Sequence, residues 1–135
     1  MICKTITYKD YNGNERTEKF YFNLTEAELS QMQYSVKGGL GEYVQRIAEA
    51  QDETTLISIF KDLILKSYGE KSLDGRRFIK ENGRLAAEFA ETEAFSNLFM
   101  SLARNTDEAI EFFNGIVPVI KEEAPANVTA LPTNN

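Results

Sequence analysis

The chain has 135 residues, 42% of them hydrophobic and 27% charged, with a formal net charge of −6. That length can bury one real core, and the acidic balance argues against a general nucleic-acid binder. With no histidine and a single cysteine, Cys3, the chain lacks the commonest general base and metal ligand, and it can form neither an internal disulfide nor a thiolate cluster.

Met1 to Phe22 reads as a β-hairpin. Lys4–Tyr8 and Thr17–Phe22 are rich in β-branched and aromatic residues, with Asn12-Gly13 between them. A two-residue turn would set Ile6 against Lys19 and mix the faces. An odd loop, Tyr11-Asn12-Gly13 with Gly13 left-handed as a bulge, gathers Ile2, Ile6, Phe20 and Phe22 on one side. A lone hairpin is marginal, so this apolar face is expected to pack on the helices that follow.

At Thr25 the strand hands over to a helix. Thr25 and Glu28 have capping-box spacing, and Leu24 and Leu29 occupy the positions of a hydrophobic staple. The helix is expected from Glu26 to about Val36, burying Leu29, Met32 and Val36 and ending at Gly38-Gly39. Leu40, Tyr43, Val44, Ile47 and Ala48 follow the i, i+3, i+4, i+7, i+8 template of a second helix. Asp52 is placed to cap a third, with Leu56, Ile57, Phe60, Leu63 and Ile64 as its stripe. Ile59 and Leu65 widen that stripe, and Gly69 is expected at the C′ position. Ser72–Gly83 is irregular, with a turn at Asp74-Gly75, an apolar anchor at Phe78-Ile79 and a stop at Asn82-Gly83. Leu85, Ala86, Phe89 and Ala90 restart a helical stripe. The phase then breaks near Thr92, a competent cap, and resumes as Phe95, Leu98, Phe99 and Leu102. A short helix from Asp107 to Asn114 carries two acids in its first turn, as the macrodipole favours.

The fold class expected is therefore α+β: an N-terminal hairpin (1–24) on a mainly helical part of about five helices (25–117). These form one globular domain over 1–120, with a flexible tail over 121–135 that holds Pro125 and Pro132. The N-terminus shows no signal peptide, and Leu56–Leu65 is too short and too polar to cross a bilayer.

Candidate chemistry is sparse. Gly38-Gly39-Leu40-Gly41 follows a helix and lacks a Lys-Ser/Thr pair, so it reads as an interhelical turn instead of a phosphate cradle. Asp10, Asn12 and Asn14 share the opening spacing of a calcium loop without its later ligands, which favours the hairpin turn. No catalytic residue, cofactor or metal is expected. From Lys61 to Arg84 seven basic residues face four acids, a local +3; from Thr106 onward five acids face Lys121, a local −4. Solvated faces account for both, and so does a self-complementary surface for head-to-tail association. Phe112, Phe113, Ile116 and Val117 are hard to bury on one short helix. They read either as core or as an exposed partner surface.

Several segments carry a resemblance: Lys4–Tyr8 with Tyr11-Asn12-Gly13, Phe20–Leu29, Tyr68–Ser72 with Asp74–Lys80, Thr92–Phe99, and Phe112–Pro118. In this order they resemble the tail assembly chaperones of long-tailed, siphovirus-type bacteriophages. The resemblance implies a non-enzymatic factor of the host bacterial cytoplasm, left out of the mature virion. It would bind the tape measure protein and help recruit tail tube subunits, with no membrane involved. It also implies the shorter member of a frameshift pair. Partner-binding residues expected on this view are Phe112, Phe113, Ile116 and Val117, with Arg76 and Arg77 from the basic stretch. The alternative is a small nucleic-acid-associated or regulatory module using residues 61–84, whose binding would weaken steeply with salt.

Overall fold

The computed structural model describes residues 1–32 and 40–117, with backbone alone for Leu40 and Gly41. Strands β1 (Ile2–Lys9) and β2 (Glu15–Phe22) form the expected hairpin. Ile2 pairs with Phe22, Ile6 with Glu18 and Lys9 with Glu15, so even residues oppose even ones and odd residues odd ones. The turn follows from Asp10, whose carboxylate accepts the Asn12 and Asn14 amides at 2.9 Å each. Gly13 completes it at φ 85°. Only a residue without a Cβ adopts that conformation cheaply. The calcium-like spacing is thus consumed by the turn. Ile6, Phe20 and Phe22 are buried on the even face, while Thr7 and Thr17 share a hydroxyl contact of 2.9 Å on the odd one.

The capping box at Thr25 is present in full. Its hydroxyl accepts the Glu28 amide at 3.1 Å, and its own amide donates to the Glu28 carboxylate at 2.8 Å. Helix α1 spans only Glu26–Gln31, however, and Met32 is already extended at φ −86°, ψ 151°. The Ser30 hydroxyl donates to the Ala27 carbonyl at 2.8 Å, a local bond of the kind that competes with helix continuation. Val36 and Gly38-Gly39 lie outside the described residues.

Helices α2 (Leu40–Glu49) and α3 (Glu53–Ser67) follow, with Asp52 capping α3 through the Thr55 amide. The buried stripe of α3 is Ile59, Phe60, Leu63, Ile64 and Ser67, with Leu56 partly buried at its start. Ile57 is 51% exposed, against expectation. One residue beyond Leu56 is a 100° rotation, which carries Ile57 off the stripe.

After α3 come two strands unseen in the sequence pattern: β3 (Tyr68–Lys71) and β4 (Phe78–Ile79), giving a four-stranded sheet in the order β1-β2-β3-β4. Gly69 is therefore not a helix cap. Tyr68 ends α3 in an extended conformation, and Gly69 pairs with Tyr21 across the sheet. Its role is close approach: a Cβ there would lie 2.6 Å from Phe78 Cε2 and 2.9 Å from the Ile79 carbonyl oxygen.

A 3₁₀ turn (Glu81–Gly83) leads into α4 (Arg84–Ala90), α5 (Glu93–Arg104) and α6 (Thr106–Gly115). Thr92 caps α5 and Asn105 caps α6, so the phase break is a true helix boundary. Among the described residues six α-helices thus accompany the sheet. Phe22 is central to the core, its ring 5.2 Å from Phe112, 5.7 Å from Tyr68 and 5.8 Å from Phe89. Leu24 donates to the Ile116 carbonyl at 2.7 Å, tying the hairpin exit to the end of α6.

Candidate functional site

The six residues expected to meet a partner fall into two groups. Phe112, Phe113 and Ile116 are 1%, 0% and 0% exposed. With Ala109 they form an i, i+3, i+4, i+7 stripe, which turns inward toward Phe22 and Phe60. The exposed apolar end expected there is replaced by core packing, because one helix face holds all four. Val117 is partly buried against the same cluster. A partner could touch Phe112, Phe113 or Ile116 only after displacing the elements around them.

Arg76 and Arg77, by contrast, are exposed on the turn joining β3 to β4. That turn is held by its own side chains. The Asp74 carboxylate accepts the Ser72 hydroxyl at 2.7 Å and the Arg76 amide at 3.0 Å, and the Ser72 oxygen accepts the Arg77 amide at 3.0 Å. The Ser72 hydroxyl beside it holds the Asp74 carboxyl below its usual range, helped by the Arg76 amide. Leu73 at the tip is fully exposed.

The basic stretch is not a continuous cationic face. Lys66 pairs with Asp62 at 3.3 Å, and Arg84 pairs with both Glu81 and Glu88. Lys80 is taken up inside the fold, a placement no local pattern announces. Its ammonium donates to the Asn23 carbonyl at 2.9 Å, the Lys66 carbonyl at 2.8 Å and the Glu28 carboxylate at 2.7 Å. All three donors are used, and they join the ends of β2 and α3 to the cap of α1.

Two clefts flank β3, with Tyr68 lining both. One, of about 580 Å³, lies beside Leu65, Ala86 and Ala87 with Glu28 and Lys80 on its rim. The other, of about 680 Å³, opens where β2 and β3 part company. Pairing between these strands covers only Tyr21–Gly69 and Phe22–Tyr68. Beyond it, β2 and the β3–β4 turn diverge as the walls of a wedge. Parity sets the chemistry of those walls. Glu18 and Glu70 stand on the helix-covered side with Phe20, Phe22 and Tyr68; Lys19 and Lys71 stand on the open side with Tyr21. The Lys71 ammonium lies 4.8 Å from the Tyr21 ring centre. Burial pushes the Tyr68 phenol up to about 12, and the nearby Glu70, Glu18 and Glu88 charges add to the shift.

Among the described residues no group of three or more His, Cys, Asp or Glu is placed to hold a metal ion. No described helix is long and apolar enough to cross a membrane. Among the described residues, the surface here presents a turn held by its own hydrogen bonds, with Arg76, Arg77 and Leu73 exposed, beside the cleft between β2 and β3.

Neither the curated proteins nor the solved structures compared with this chain gave a match. The family described as phage tail assembly chaperone matches residues 1–133. That match runs from the hairpin through the wedge and every helix, so the chain belongs to the phage tail assembly chaperone family.

Proposed function

We propose that the protein binds the tape measure protein during tail morphogenesis and helps bring tail tube subunits to it. The observation that carries this reading is the family match over residues 1–133. The role is non-enzymatic and calls for no cofactor. It is exercised in the cytoplasm of the host bacterium and ends before the virion is mature. A chaperone for a long helical client needs surface for polypeptide contact and enough charge to stay in solution; the exposed β3–β4 turn and the net charge of −6 meet those needs.

In this reading Arg76 and Arg77 face the client directly. Phe112, Phe113, Ile116 and Val117 act through the core, by holding α6 against the hairpin. A nucleic-acid role for residues 61–84 is disfavoured by the ion pairs that take up Lys66, Lys80 and Arg84.

Co-expression with a tape measure fragment that aggregates alone provides the test. The fragment should become soluble and co-purify with the protein. A fragment that stays insoluble, with no complex recovered, would overturn the reading.

A further inference from the structure

Among the described residues, the β2 edge that faces the wedge is an unfilled strand position. From Glu15 to Lys19, β2 is paired with β1 on one side only, since its pairing with β3 begins at Tyr21. In a strand, alternate peptide groups point to each edge. Those directed away from β1 over this span have no hydrogen-bond partner among the described residues. β-Strands normally guard such an edge, because it templates the addition of another chain. The outer edge of β1, for comparison, is met by α5 at Thr7, whose carbonyl accepts the Asn97 amide at 3.4 Å.

The two faces of the wedge differ in charge. On the helix-covered side Glu18 accepts the Tyr8 hydroxyl at 2.5 Å and pairs with Arg16 at 3.2 Å. Arg16 also serves Asp10, so that trio keeps one net negative charge, and Glu70 adds a second with no partner among the described residues. On the open side Lys19 and Lys71 are exposed and join no ion pair among the described residues, while Glu15, of the same parity, stands opposite Lys9 at the far end of β2. An added strand alternates its side chains between these two environments.

We infer that the wedge takes up an extended segment of the client by strand addition to β2, basic side chains alternating toward Glu18 and Glu70 and acidic ones toward Lys19 and Lys71. This rests on the chaperone reading for the identity of the client, while the site itself rests on the open edge and the two-signed faces. Main-chain hydrogen bonds would supply sequence-tolerant affinity, and the alternating charges would set register.

The experiment uses the full chain labelled with ¹⁵N and, as probe, an acetylated and amidated decapeptide of alternating lysine and glutamate. Shift changes should concentrate in Glu15–Tyr21 and Gly69–Lys71, and the outward amides of β2 should exchange at least tenfold more slowly when bound. The same peptide N-methylated at every second residue should lose binding; retained binding would mean charge attraction without strand pairing and would overturn the inference. A Lys19→Glu/Lys71→Glu variant, with both faces acidic, should bind the alternating peptide at least tenfold more weakly and an alternating lysine–threonine peptide more tightly. An unchanged thermal midpoint would show that its fold is kept. If the free protein already protects the outward amides of Glu15–Lys19 and ignores the peptide, the edge is filled by its own tail or a second copy, and the inference fails. A soluble client complex with no protection of β2 would likewise overturn the site while leaving the chaperone reading intact. Peptide binding without client solubilisation would sink that reading and keep the site.

Discussion

Lys80 shows how much one side chain can organise. Its ammonium satisfies two main-chain carbonyls and the carboxylate that also closes the capping box. Lys80→Met would leave all three acceptors short of a donor, and should cost about 1–3 kcal/mol in chemical denaturation at neutral pH. Burial pushes the Glu28 carboxyl up, but the Lys80 ammonium and the Thr25 amide outweigh it, and the net direction is down from 4.5. A carboxyl lowered by folding contributes stability above its unfolded value, and that contribution is lost as pH falls through the folded one. The gap between wild type and Lys80→Met should therefore narrow as pH drops below about 4. A gap that stays constant to pH 2 would show that the ion pair is not its source. Gly69 is the second such residue. Gly69→Ala should cost about 1–3 kcal/mol through overpacking. Adding Phe78→Ala should recover only part of the loss, because the Ile79 carbonyl is backbone and cannot step aside.

Among the elements, α1 and α6 behave differently although both are short. Helix α1 depends on its cap: Thr25→Ala should cost about 0.5–2 kcal/mol, whereas Thr25→Ser keeps the hydroxyl and should be nearly silent. Equal loss from both would point to packing of the Thr25 methyl group instead. Helix α6 depends on its buried stripe. Phe112→Ala should cost about 3–5 kcal/mol, as for other large core aromatics, and the thermal midpoint should fall clearly. A midpoint near that of wild type would restore the reading of Phe112 as surface. Ile57→Ser on α3 supplies the contrast. Its side chain lies off the buried face, so the change should stay within about 0.5 kcal/mol.

On the scale of the molecule, the core side chains form one connected cluster spanning the sheet and the helices. Leu63 and Ile64 on α3 are fully buried within it. Native-state hydrogen exchange should find its slowest amides in the Ile59–Ile64 turns of α3. Faster exchange there than in the exposed Ser72–Arg77 turn would contradict the packing described. High pH offers a second global check. Folding raises the Tyr68 phenol to about 12 from 10.0. Its contribution to stability is therefore complete below pH 10 and is lost as pH rises toward 12.

The sequence by itself determined whatever is decided within a few residues. The odd hairpin loop is legible because Asp10 and Gly13 complete it alone. The Thr25, Asp52 and Thr92 caps each reach a residue three positions on. The α4 and α5 stripes are legible because their period is intrinsic to the helix. Tertiary structure decided what depends on distant partners. Lys80 meets Glu28 from 52 residues away, and Gly69 is required by a phenylalanine on another strand. β3 and β4 are too short to announce themselves and form as strands in the sheet that β2 begins. Whether Phe112 and Phe113 were core or surface rested on Phe22 and Phe60 being there to receive them. Local hydrogen bonds and periodicity are written in neighbouring residues. Burial belongs to pairs of surfaces, and only folding brings those surfaces together.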